Sequence, residues 1–341
     1  MNMRPHCSQK GSILILVLWS LTLLSVLAVH LGLTVQRRIE LLSRLEKRSQ
    51  LQDIAEAGAD KAIAAVRTDA KRTAQQTPQS KQFKFNNPSF FQEKSLGGGR
   101  FDVNHWEYDD DVYHYAVVYG MVDEERKVNI NTAGRDVIER LIRHILSDEE
   151  RAKELSSAIF DWREHGESEI TGFFSDDFYG QLQYPYEAKK TNYETLDELM
   201  LVKGMNPQVY RWLTDFVTIY GDGRVNINTA PKAVLVALGF SEELAQKILI
   251  VRRGADGREA TADDIVFQTT ESLGLVLAQT VGLEPQEIEQ VNALNARHAL
   301  TTESRYYKVR SAAQLNNSDE KTVIVCVFDL INGKIKYWRE M

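Results

Sequence analysis

Side chains able to do chemistry are sparse in this 341-residue chain. The densest group is Asp161, Glu164, Asp176 and Asp177, carried by the tracts Phe160-Asp161-Trp162-Arg163-Glu164-His165-Gly166-Glu167 and Ser175-Asp176-Asp177-Phe178-Tyr179. Loop carboxylates supply the oxygen donors calcium needs, about six to eight per ion. These four are therefore the candidate calcium ligands, against the alternative of a solvated acidic loop. Gly166 stands where another acid is expected, which weakens the set. Asp109-Asp110-Asp111 reads as a tight, solvated hairpin turn, with calcium as its alternative. His165 beside Glu164 lacks a nucleophile or a third orienting group at matching spacing. The two cysteines, Cys7 and Cys326, show no metal or nucleophile spacing and are not expected to share a disulfide. With no triad, zinc spacing or phosphate loop, no enzyme is expected.

The elements that would carry these groups start with an apolar run. Residues 12–33 contain no Lys, Arg, Asp or Glu, and His30 is their only titratable side chain. At 1.5 Å per residue such a helix spans about 33 Å, enough for a bilayer's hydrocarbon core. A cleaved secretory signal is excluded by the length of the run and by the poor cleavage site at Ala28-Val29-His30-Leu31-Gly32. A plain signal anchor fits. So does a third layout, because the Lys10-Gly11/Ser12 junction before the run resembles a type IV prepilin or pseudopilin leader. By that resemblance a membrane peptidase cuts after Gly11, and Ser12 becomes the new N-terminus. Positive charges flank the run on both sides, so orientation rests on the leader and not on charge. Pilin-like chains usually have Glu at the fifth position after the cut, where this one has Leu16. An unpaired carboxylate there would cost about 2.5–3.5 kcal/mol on insertion scales. A subunit with no neighbour ahead of it does better without one; an ordinary anchor also has Leu.

The helix is expected to continue beyond the membrane, since residues 36–68 hold no Pro and strong helix formers dominate. Ala55, Ala59, Ala62 and Val66 make a narrow stripe suited to seat a sheet or a neighbouring helix. Residues 73–100, with Pro78, Asn86-Asn87-Pro88 and Gly97-Gly98-Gly99, read as a surface loop. Alternation over residues 100–106 and a Tyr/Val-rich segment at 112–121 predict a strand pair. Period-two patterning returns after Arg305, and Ile331-Asn332-Gly333 predicts a hairpin joining strands at 322–330 and 334–340.

Val128-Asn129-Ile130-Asn131-Thr132-Ala133 recurs, displaced by 97 residues, as Val225-Asn226-Ile227-Asn228-Thr229-Ala230. In each copy a short apolar segment runs into Thr, expected to cap a following helix at 135–146 or 232–238, with Pro231 in the first turn of the second. Two copies predict two related helical units. The string is similar to helix-hairpin-helix and sterile-alpha-motif-like modules, and residues 196–206 resemble the hairpin of such a unit. In DNA-binding hairpins two glycines let backbone N–H groups reach a phosphate. Here Asn206 replaces the second glycine, basic residues do not cluster in the sequence, and the net charge of −7 argues against phosphate binding. Nucleic acid is not the expected partner.

The order of these features resembles the K-type minor pseudopilins of type II secretion systems over nearly the whole chain. It comprises the leader without the fifth-position Glu, the paired strings, the acid-Trp tract, the acid-acid-Phe-Tyr loop and the closing Tyr337-Trp338-Arg339-Glu340. The resemblance implies an α+β fold: a pilin-like long N-terminal helix packed on a small antiparallel sheet, with an inserted α-helical domain. The expected boundaries are a leader at 1–11, a transmembrane half-helix at 12–33 and a periplasmic half at 34–72. Loop and first strands follow at 73–122, the insert at 123–300 and closing strands at 301–341. It further implies a subunit at or near the tip of a periplasmic filament, initiating or capping its assembly for protein export across the outer membrane. The implied partners are other minor pseudopilins, a prepilin peptidase and the inner-membrane secretion platform. The implied location is the inner membrane, single-pass, with the bulk of the chain in the periplasm. The alternative is a membrane-anchored helix-hairpin-helix protein binding DNA in an uptake machinery.

Overall fold

A computed structural model describes residues 10–73, 86–109, 114–146, 148–164, 175–257 and 263–341. The first element, α1 (Lys10–Thr73), is one unbroken helix of 64 residues. Its two halves differ in what surrounds them. From Ile13 to Leu45 the large apolar side chains are exposed, and this helix is long and apolar enough to cross a membrane. From Leu51 to Val66 one face is buried, with Ala55, Ala59 and Ala62 fully covered by the sheet. Small residues let the helix approach the strands closely, and Gly58 marks the tightest point. A Cβ there would fall on the Ser311 hydroxyl and 2.7 Å from a Phe101 ring carbon.

The sheet beneath α1 contains β1 (Lys94–Leu96), β2 (Gly99–Asp109), β9 (Tyr306–Leu315), β10 (Lys321–Asp329) and β11 (Lys334–Glu340), in that spatial order. Neighbours pair antiparallel throughout. The first half of β2 pairs with β9, and its second half leaves the sheet to pair with β3 (His114–Tyr119). Residues 110–113, which hold most of the acidic turn, lie outside the described residues. Phe101, Val103, Val309, Ile324, Cys326 and Phe328 point at the helix and close the smaller of two cores. Burial pushes the Cys326 thiol up to about 12, so it packs as an inert apolar group.

One stretch differs from its expected form. The segment 73–100 was expected as a surface loop, yet its described part holds a short helix, α2 (Pro88–Phe91), and strand β1. Pro88 opens α2, Phe91 is buried against the helix core, and the left-handed Gly97 turns β1 into β2. The glycines therefore make a hairpin where composition read as a loop.

The helical part is inserted between β4 (Val122–Asp123) and β9, which pair antiparallel, Val122 opposite Lys308 and Asp123 opposite Tyr307. Both connections to the insert therefore leave the sheet side by side. Inside it are two units. The first runs from β5 (Val128–Asn129) through α3 (Arg135–Leu146), α4 (Glu149–Arg163), α5 (Ser175–Gly180) and α6 (Pro207–Phe216) to β6 (Val217–Thr218). The second runs from β7 (Val225–Asn226) through α7 (Lys232–Leu238), α8 (Glu242–Arg252), α9 (Leu273–Thr280) and α10 (Pro285–Ala296) to β8 (Leu300–Thr301). Each unit is closed by a two-residue parallel ladder, β5 on β6 and β7 on β8. One apolar core, from Val128 to Leu300, runs through both.

The repeated string does its work through asparagine. Asn131 exchanges two hydrogen bonds with the backbone of Tyr193, at 2.8 and 3.0 Å, and Asn228 does the same with Phe267. Asn129 and Asn226 each accept from the backbone N–H two residues on. A side chain that satisfies a neighbouring backbone in this way replaces strand pairing where strands are two residues long. The expected Thr caps are not found: α3 and α7 begin three residues after Thr132 and Thr229, and Pro231 occupies the N-cap position of α7. Thr229 instead donates to Asp123 at 2.5 Å. Beneath each string a buried arginine holds carbonyls of the turn. Arg163 donates to Ile130 and Ala133, and Arg252 to Ala230.

Candidate functional site

The run Asp123-Glu124-Glu125 is not singled out from the sequence, yet all three acids are buried where the insert meets the sheet. Each ties down a different part. Asp123 Oδ2 accepts from Asn226 and Thr229 of the second unit and from Ser304 on the returning chain. Glu124 accepts from Thr218 at 2.6 Å, closing the first unit, and from Lys127 at 3.1 Å. Glu125 Oε2 accepts from the backbone N–H of Arg305 and Tyr306 at 2.5 and 2.9 Å, where the chain re-enters β9. Arg305 in turn makes a two-pronged bond, 2.8 Å on each arm, with the fully buried Asp329 of β10. That pairing, with bonds from Asn332, holds Asp329 well below the usual carboxylate range.

The electrostatics of the three acids differ. Burial pushes the Asp123 carboxyl up, against the opposing bonds from Ser304 and Thr229. Burial also opposes charge on Glu124, but the Lys127 and Lys308 ammonium groups outweigh it and keep this acid ionised. For Glu125 burial prevails: reinforced by Asp123 and Asp222, it raises the carboxyl from an ordinary 4.5 to about 7. Between these values the native state holds a proton that the unfolded chain has released. The contribution is fully present below about pH 4.5 and is lost as pH rises through about 7. Glu125→Gln keeps an oxygen for both N–H donors and removes the titration. We expect its thermal midpoint to exceed the parent's at alkaline pH, by an amount equivalent to about 2 kcal/mol, with the gap closing on acidification. Circular dichroism melts across pH would check this.

The residues singled out from sequence do not converge. Gly11 and Ser12 lie in the first turns of α1, and Leu16 follows on its exposed half. Asp161 is buried on α4 and committed to Lys190 at 3.0 Å. Glu164 caps the end of α4 and pairs with Arg163 at 3.2 Å. Asp176 and Asp177 fall in α5, where only the backbone is described, and Gly166 lies outside the described residues. Among the described residues no cluster of three or more acids, His or Cys is arranged to hold a metal. The carboxylate that would have to serve an ion at Asp161 is held here by Lys190. The aromatics of the same tracts have a packing role. Trp162 meets Tyr179 edge-on, Tyr179 stacks on Tyr186, and the two hydroxyls hold the backbone at Lys203 and Leu201.

The hairpin resembling a DNA-binding element forms a 3-10 turn, Leu196–Leu201, followed by the left-handed Gly204 and α6. Asn206 caps α6 by accepting from the N–H groups of Gln208 and Val209. Those are the donors a phosphate would require, and the side chain occupies them.

Residues 99–222, from β2 to the end of the first helical unit, match the family model of the type II secretion system (T2SS), protein K. Over these residues the chain resembles the first domain of protein K. In protein K terms, the matched stretch contains the departure from the sheet, the Asp123-Glu124-Glu125 junction and the first closed unit, and the second unit repeats its plan. The fold agrees. A chain of the GspK-GspI-GspJ complex from the enterotoxigenic Escherichia coli Type 2 Secretion System superposes with a TM-score of 0.59 at 15% identity, over 88% of this chain and 99% of that one. No curated protein matches the sequence. A long N-terminal helix, an antiparallel sheet and an inserted helical region are thus the fold this chain shares with that one.

Proposed function

We propose that this chain is a minor pseudopilin that joins other minor pseudopilins at or near the tip of the secretion filament and initiates or caps its assembly. The observation that carries this is the shape of α1 and its load. One continuous helix has an exposed apolar half, able to rest in a bilayer or against other such helices, and a half locked to the sheet. Above the sheet stands a two-unit head that would obstruct a subunit stacked directly over it. The solved GspK-GspI-GspJ complex has the same fold in one of its chains, which supports assembly with two partners of similar kind. Before assembly, residues 12–33 hold the chain in the inner membrane as a single span, with the bulk in the periplasm. A prepilin peptidase cuts after Gly11, and the secretion platform then extracts the helix into the filament. Leu16 adds to this picture, since a leading subunit has no amine ahead of it for a carboxylate to meet. The work is mechanical, with no bond chemistry beyond the leader cut.

Replacing Gly11 with a bulky residue tests the proposal. Gly11→Leu should leave the leader attached, so that N-terminal sequencing of the membrane-extracted protein reads from the leader instead of Ser12. Export should fall to background. Normal export by a chain whose leader remains uncut would end this account of the function.

A further inference from the structure

Between the head and the outer face of the sheet run two adjoining hollows of about 220 and 350 Å³. Lys127, Lys308 and Arg310 line both, so a strip of cations lies along the boundary they share. Most charges around it are already matched: Lys127 pairs with Glu124, Arg126 with Glu107, and Arg339 lies 3.8 Å from Asp197. Two are not. Lys308, half-buried on β9, has no ion pair or side-chain hydrogen bond among the described residues. Arg310, two residues on along the same strand face, bonds only the neutral Asn104 at 2.5 Å. Asp215, an acid lining the first hollow, accepts the Tyr115 hydroxyl at 2.8 Å and faces Lys308 electrostatically. The walls are apolar and aromatic, with Trp106, 59% exposed, at one end and Val325, Val327 and Tyr337 at the other.

We propose that this cleft docks an extended, carboxylate-rich peptide segment of a partner protein. Its acids would meet Lys308 and Arg310, and its alternate apolar side chains would lie on Trp106 and the Val325–Val327 wall. Two half-buried cations with no carboxylate in hydrogen-bond contact complement the acidic side chains of a ligand. A pair of hollows with apolar walls is longer than a small inorganic anion can use, whereas a strand-like peptide presents acidic and apolar side chains on alternate faces. The inference does not depend on the tip placement, because its experiment reads binding and not export.

The full chain in detergent micelles would be titrated at low salt with a short alternating Glu-Val peptide, and with the Lys-Val peptide and inorganic phosphate for comparison. Intrinsic fluorescence, with Trp106→Phe to assign the signal, and calorimetry would read binding. The expected result is one site for the Glu-Val peptide, weakening steeply with salt, with neither comparison ligand bound comparably. Lys308→Glu should weaken it about tenfold or more, and Lys308→Arg should keep it. If Lys308→Glu does not fold, judged by its melt, Lys308→Gln should show the same loss in smaller degree. Absence of peptide binding at low salt, binding indifferent to the charge at Lys308, or equal competition by phosphate would each overturn the proposal.

Discussion

Gly58→Leu is expected to detach α1 from its sheet. Even one added carbon at this position meets the Ser311 hydroxyl and the Phe101 ring. The hydroxyl has no hydrogen-bond partner among the described residues and can turn away, but the ring is buried in the core and cannot. Gly58→Ala gains about 1 kcal/mol of helix propensity and should still be destabilising, since overpacking costs about 1–3 kcal/mol. Leu adds three more carbons to the same gap, and its cost should exceed about 3 kcal/mol. Gly32 provides the control: nothing lies within 4 Å of its added Cβ, so Gly32→Ala should show no loss. Ser311→Ala should recover part of the Gly58→Ala loss and little of the Leu loss. Chemical unfolding followed by near-ultraviolet circular dichroism would rank the series. A Gly58→Leu chain as stable as the parent would mean that the helix does not sit as described.

Lys127→Met should be the second large effect. The Lys127 and Glu124 side chains are 5% and 3% exposed and lie 3.1 Å apart, with Lys127 also reaching the Thr214 carbonyl at 3.4 Å. Removing one member leaves a buried charge without its counter-ion, a loss of about 3–5 kcal/mol. Glu124→Gln on top of Lys127→Met removes the stranded charge and keeps an oxygen for Thr218. The double variant should therefore recover most of the loss, which a double-mutant cycle measures directly. If the two losses simply added, the pair would contribute no coupling and Glu124 would be held by Thr218 and the Lys308 charge.

The long helix, its alanine stripe, the returning strands and the doubled helical unit were legible because each is written as a period or a repeat. Ala55, Ala59, Ala62 and Val66 announce a buried face by spacing alone. Two kinds of feature were not legible. The first is function carried by side chains that normally mark solvent: Asp123-Glu124-Glu125 looks like surface, and its burial follows only from partners such as Ser304 and Arg305, some 180 residues away. A charged run placed directly ahead of a repeated string was the available hint. The second is ladders two residues long. Val128 and Asn129 carry no strand period, so their parallel pairing with Val217 and Thr218 could come only from tertiary closure. The acid tracts misled in the opposite direction. Asp161 looked like a donor in search of an ion, and the lysine that engages it sits 29 residues downstream in a stretch without a motif.

The position of the two crossings to the head has a mechanical consequence. They meet the sheet on β9, which is flanked by β2 on one side and β10 on the other and packs against α1. A force applied to the head therefore enters the sheet along its middle strand, not at an edge. Such a force loads hydrogen bonds on both flanks together, in shear, instead of unzipping a border strand one bond at a time. The helix behind β9 then receives the thrust along its length, which makes the small sheet a coupling between a wide head and a thin shaft.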